Sequence, residues 1–101
     1  MPVAYLIVEM HITDMAQYQQ YMAEAPAVVK AQGGEYLVRG GQHESLEGDW
    51  KPHRVAMLRF PSYEQAKAFY ASAAYRAVRA SRAGAVEYFN SVLVEGVAAP
   101  V

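Results

Sequence analysis

The sequence predicts an α+β sandwich: a four-stranded antiparallel sheet with its helices on one face, in the order strand, helix, strand, strand, helix, strand. Three observations carry that reading. Val3 to Ile12 alternates with period two, two segments show apolar residues at helical spacing behind a capping residue, and the remaining apolar runs are short and bounded by Gly or Pro.

In the first segment the even positions Ala4, Leu6, Val8, Met10 and Ile12 are all apolar, while the odd positions carry Tyr5, Ile7, Glu9 and His11. This is a strand with one wholly apolar face and one mixed face. Asp14 is placed to cap a helix, with Gln17 where a capping-box partner belongs. Met15, Tyr18, Met22, Ala25 and Val29 follow as its buried stripe. Pro26 lacks an amide donor and crowds the carbonyl four residues back, so a kink or restart is expected between Glu24 and Ala27. Gly33-Gly34 ends the helix.

Glu35 to Gly40 and Arg54 to Phe60 read as the second and third strands, joined by a polar loop too long for a tight hairpin. Ser62 caps the next helix, with Gln65 three residues on and Ala66, Phe69 and Tyr70 directed inward. Ser72 caps a further short helix through Tyr75, Val78 and Arg79 that ends by Gly84, and Val86 to Val94 is the last strand. Residues 1–96 thus form a single ferredoxin-like domain, and 97–101 a small apolar tail that lies on a partner or frays.

Composition narrows the function classes. Nine Lys plus Arg against ten Asp plus Glu leave a formal charge of -1, with no pull toward nucleic acid or an anionic membrane. The absence of cysteine removes disulfides, thiolate catalysis and Cys-ligated metals. The first apolar run meets Glu9 and His11 too early for a membrane span, and a cytoplasmic protein is expected. With 53% hydrophobic residues in 101, and one sheet face left bare by the topology, a homodimer is the expected assembly.

The densest stretch runs from Tyr36-Leu37-Val38-Arg39-Gly40-Gly41 through Leu46-Glu47-Gly48-Asp49-Trp50 to Pro52-His53-Arg54. Within the whole chain it resembles the small bacterial family of domain of unknown function 1330 (DUF1330). That resemblance covers nearly the whole chain, and implies a ferredoxin-like half of a dimeric α+β barrel without fixing a reaction. It falls on Arg39, on the acidic-Gly-x-Trp loop with its following Pro and basic residue, and on Tyr70, Ser72, Tyr75 and Arg79.

The residues themselves suggest several roles. Arg39, ahead of two glycines, could hold a carboxylate or enolate in a cleft between sheet and helices, or pair with Glu35, Glu47 or Glu95. Trp50 could cover a small apolar ligand or anchor a subunit interface, and Glu47 could act as a base or stay a solvated carboxylate. His53 could lend a proton or be a plain strand-end residue. Tyr70, Tyr75, Arg79 and Arg82 could bind an oxyanion, or be edge tyrosines beside a solvated basic face.

His11, His43 and His53 lack metal-ligand spacing, and no phosphate loop, nucleophile elbow or dinucleotide fingerprint occurs, so no metal and no cofactor are expected. A haem-degrading barrel would need a helical axial His, and all three histidines fall on a strand or loop. The sequence therefore predicts a homodimer that binds or transforms a small aromatic, enolic or lactone-like molecule. Arg39, Trp50, His53, Tyr70, Tyr75 and Arg79 are its ligand residues, with Arg39, His53 and Tyr75 as candidates for any chemistry. Relatives by fold include cofactor-free monooxygenases, lactone isomerases and small dehydratases, which is analogy only. The alternative is a non-catalytic structural homodimer in which Gly40 to Arg54 only builds the interface.

Overall fold

The computed structural model describes residues 2–98. Its elements are β1 (Ala4–Ile12), α1 (Met15–Ala31), β2 (Glu35–Arg39), β3 (Arg54–Phe60), α2 (Tyr63–Ala71), α3 (Ala73–Ala80) and β4 (Val86–Glu95). The strands form one antiparallel sheet in the order β2-β3-β1-β4, the ferredoxin-like arrangement. Each expected element is present. The tail lies in part outside the described residues.

Alternation decides which side chains meet the helices. Ala4, Leu6, Val8 and Met10 of β1 pair with Phe60, Leu58, Ala56 and Arg54 of β3, so all eight side chains share one face. Phe60 and Phe69 are fully buried there, with ring centroids 4.9 Å apart. The opposite face carries Tyr5, Ile7, Glu9 and His11, and none of the described helices lies over it. Among its residues Leu37, Val92 and Val94 are 45%, 61% and 43% exposed.

Helix α1 corrects two expectations. It runs unbroken through Pro26 from Met15 to Ala31, because a single lost bond is tolerated where both flanking turns keep theirs. Its buried residues are Tyr18, Tyr21, Ala25 and Val29. Met15 is 44% exposed instead, since it sits in the first turn, and Tyr21 takes a place in the stripe.

The two glutamines three residues after each cap do not close capping boxes. Asp14 accepts from the Gln17 amide as expected (3.1 Å), but the Gln17 side chain donates to the carbonyl of Ala83 (2.6 Å). Gln65 likewise donates to the carbonyl of Gln32 (2.6 Å), tying α2 to the end of α1. Each glutamine thus satisfies an orphan carbonyl of another element rather than its own helix start.

Ser72 ends α2 and starts α3. Its hydroxyl donates to the Phe69 carbonyl (2.7 Å) and accepts from the Tyr75 amide (3.1 Å). Ser72→Ala removes both bonds at once and should lower stability by about 1–2 kcal/mol in urea unfolding. A loss under about 0.3 kcal/mol would mean that water replaces the hydroxyl freely.

Candidate functional site

Between the sheet and helices α1 and α3 lies a narrow cleft walled by apolar side chains and by Tyr18, Tyr21, Tyr36 and Tyr75. Arg39 and Arg54 also line it. Arg54 arrives there by simple parity, since it shares the face of Ala56, Leu58 and Phe60 and sits opposite Met10. Its guanidinium lies against Gly40, where a Cβ would come within 2.4 Å of Cζ, and Gly40 has the left-handed φ of 73° that glycine adopts freely.

Arg39 reaches the same face by a bulge. Tyr36 is opposite Leu58, but Val38 is opposite Met57 and Arg39 opposite Ala56, which leaves Leu37 as the extra residue. Strict alternation from Tyr36 would have sent Arg39 to the bare face. The inserted residue returns it to the helix side, where its Cζ lies 4.8 Å from the Tyr36 ring centroid.

Arg39 then donates to the carbonyl of Met22. That carbonyl lies four residues before Pro26, so proline's missing amide leaves it without its usual helical partner. The interruption that proline makes in α1 is therefore filled from β2. Arg39 and Met22 both line the cleft, whose free space is only about 30 Å³, room for a water or two.

Deeper in, the hydroxyls of Tyr21 and Tyr75 are hydrogen-bonded at 2.7 Å, and the Tyr18 hydroxyl donates to Met10 Sδ at 3.2 Å. Burial pushes the Tyr18 phenol up to about 12, with Arg82 and Arg54 drawing it partly back. Burial raises Tyr21 further, and its contact with the Tyr75 hydroxyl adds to the effect. These phenols stay protonated at neutral pH and serve as hydrogen-bond donors, not bases. Among the described residues the only arginine–carboxylate pair joins Arg59 to Glu35, so Arg39 has none of the three pairings expected for it.

The six expected ligand residues do not form one site. Arg39 and Tyr75 share the cleft. Tyr70, expected to point inward, is 37% exposed at the lip of a separate open groove of about 490 Å³ between α2 and β4, because only Ala66 and Phe69 of α2 reach the sheet. Arg79 lies over the rings of Tyr70 (4.6 Å) and Tyr75 (5.6 Å) and thus stands between the two spaces.

Trp50 and His53 are on the other side of the sheet. Trp50 Nε1 donates to Glu9 Oε2 (2.9 Å), and Asn90 donates to Glu9 Oε1 (3.2 Å). His53 stacks on His11 with centroids 3.8 Å apart, and its Nδ1 is 2.9 Å from the Tyr88 hydroxyl. Glu9, His11, Tyr88 and Asn90 all belong to the bare face. His53 is the residue just before β3, and its side chain leaves on the side opposite Arg54 as alternation extended by one residue would have it. Glu47 is exposed on the loop, and among the described residues no three His, Asp or Glu side chains are grouped to hold a metal ion.

Sequence reasoning omitted Arg54, Tyr18 and Tyr21 from the site. The signal for Arg54 was its parity with Phe60. Tyr18 stands in the α1 stripe, where a core role is the default, and the hydroxyl pairing of Tyr21 carries no sequence signal.

With this geometry in place, comparison with known proteins is informative. The family model for domain of unknown function DUF1330 matches residues 3–97. The chain belongs to that family. Curated proteins give no match. Among solved structures, a protein of unknown function from Rhodopseudomonas palustris is similar with a TM-score of 0.76 at 17% identity, covering 95% of this chain and 83% of that one. A protein from Nitrosomonas europaea named as a candidate antibiotic biosynthesis monooxygenase has a TM-score of 0.59 at 17% identity, with 95% and 91% covered. A Bacteroides fragilis protein described as dimeric and ferredoxin-like has a TM-score of 0.55 at 14% identity, with 93% and 96% covered. At such identities the likeness of this DUF1330 chain to these structures is one of fold.

Proposed function

We propose that the chain acts as a homodimer that binds a small aromatic, enolic or lactone-like molecule in the cleft between its sheet and helices α1 and α3. One observation carries this: two arginines without carboxylate partners, Arg39 and Arg54, stand at a tyrosine-walled apolar space. A guanidinium pair there suits an oxygen bearing negative charge, and the phenols suit a neighbouring carbonyl or hydroxyl. A ligand displaces Arg39 from the Met22 carbonyl as it enters, which widens the water-sized interior. If chemistry follows, Arg39 fixes the anionic or enolic oxygen. The cleft offers no imidazole for proton transfer, because His53 is on the far side.

Support for the dimer comes from the bare face, where exposed Val92, Val94 and Leu37 adjoin Ile7 and Met57, more apolar surface than a small monomer readily leaves in water. The Trp50 loop folds onto that same side through Glu9. The water-sized cavity favours a second reading, a structural homodimer with no ligand.

Two variants separate the readings. Arg39→Ala should leave the dimer intact on size-exclusion chromatography with light scattering, yet weaken binding of aromatic and lactone acids about tenfold or more in a thermal-shift screen. Trp50→Ala should weaken the dimer and spare binding. A monomer at micromolar concentration defeats the assembly, and no ligand shift in the unmodified chain defeats the cleft.

A further inference from the structure

Arg82 is the one buried charged residue among those described, at 9% exposure. It follows α3 in the turn that leads to β4, a turn held by the Ala85 amide on the Arg82 carbonyl and by Thr13 and Asp14 on the Ala85 carbonyl. The backbone that carries Arg82 is therefore held on both sides. Its Cζ lies 3.5 Å from the Phe89 ring centroid and 5.2 Å from that of Tyr21, both of which line the cleft.

A buried guanidinium ordinarily has a carboxylate or several carbonyls to satisfy it. Here Nε is buried without any hydrogen-bond partner, and no carboxylate lies within ion-pair distance among the described residues. Ring faces offset part of the desolvation but accept no N–H in the plane of the group. Beside it, the Tyr21 and Tyr75 hydroxyls share one hydrogen bond between two donors, so one phenolic hydrogen of the pair is left over. A cation with no carboxylate partner thus stacks on two rings of the cleft wall, and the Tyr21–Tyr75 pair that lines the cleft holds a spare hydroxyl hydrogen.

We propose that Arg82 and the Tyr21–Tyr75 hydroxyl pair form an anion subsite that takes a carboxylate of the bound molecule. The planar group matches the two in-plane donors of a guanidinium, and the apolar surroundings strengthen the contact. This rests on the cleft reading above and narrows its ligand class to acids with a second oxygen function, one end on Arg82 and the other at Arg39. It also gives the buried charge a reason, since the subsite is complete only when occupied.

The test uses the whole chain with 15N-labelled arginine, and benzoate against benzamide as probes of the same shape. Benzoate should move the Arg82 Nε–H resonance, while benzamide, and sodium chloride or inorganic phosphate at matched ionic strength, leave it in place. Arg82→Met should weaken benzoate binding at least about tenfold, with Arg82→Lys recovering part of it. If Arg82→Met does not fold, the resonance of the unmodified chain still decides. Benzoate that shifts Tyr18 or Met22 signals without moving Arg82 overturns this subsite and leaves the cleft standing. An equal shift with phosphate or chloride overturns the assignment to a carboxylate. If neither probe perturbs any cleft residue, the cleft reading falls and the subsite with it.

Discussion

Replacing Phe69 with alanine should cost about 3–5 kcal/mol of stability, a large share of what a domain of this size has. Phe69 is 1% exposed and its ring meets Phe60 on the sheet (4.9 Å) and Tyr75 on α3 (4.4 Å). With Ala66 it packs α2 on the sheet, it meets α3 through Tyr75, and neither helix is long enough to hold its shape without packing. Urea unfolding of Phe69→Ala, with Phe69→Leu as the smaller truncation, should separate the two by about 2 kcal/mol. A loss under about 1 kcal/mol for the alanine variant would show that the helices carry themselves. Because Phe69 also braces Tyr75, the alanine variant should lose the Tyr21–Tyr75 hydroxyl pairing before it loses the fold. The near-ultraviolet spectrum reports that loss separately from helix content.

What could be read from the residues follows the strength of the local pattern. In strand β1 every even position from Ala4 to Ile12 is apolar while Glu9 and His11 mark the other face, and that pattern alone assigns the faces. The β3 boundaries, Arg54 and Phe60, are set by flanking Pro52 and Pro61. By contrast β2 is short, and Tyr36, Leu37 and Val38 are apolar at both parities, so the residue that bulges cannot be chosen without β3 beside it. The direction of Arg39 depends on that choice. Pro26 was legible as an interruption of α1, but that its freed carbonyl would be taken by a guanidinium from another strand is a fact of tertiary packing. The mistaken joining of Trp50 and His53 to Arg39 had a remedy in the sequence, the alternation across His53-Arg54.

The cleft tyrosines make a further expectation at high pH. In the folded chain the Tyr18 phenol is raised from 10.0 to about 12, first by burial, with the Arg82 and Arg54 guanidiniums opposing and the Tyr75 and Tyr36 phenols adding slightly. Tyr21 is raised further, and Tyr36 is raised by burial against the pull of Arg39. A group whose folded pKa lies above its unfolded value holds its proton more tightly when folded. Its stabilisation is therefore whole below about pH 10, and is lost as pH rises from there toward about 12 and beyond. For Tyr18, which is 3% exposed, the difference corresponds to about 3 kcal/mol. Tyr21 adds to the decline over the same range and above it, because its unfolded form also ionises near 10. Unfolding free energy measured by urea at steps between pH 9 and 12 should thus fall steeply, and phenolate absorbance should show these tyrosines ionising only as the chain unfolds. Tyr18→Phe should flatten the fall by about 3 kcal/mol. Tyr21→Phe should flatten it too, while stranding the Tyr75 hydroxyl and lowering stability at neutral pH. A flat profile to pH 12 would mean that water reaches these phenols in the folded state, and that the cleft stands open.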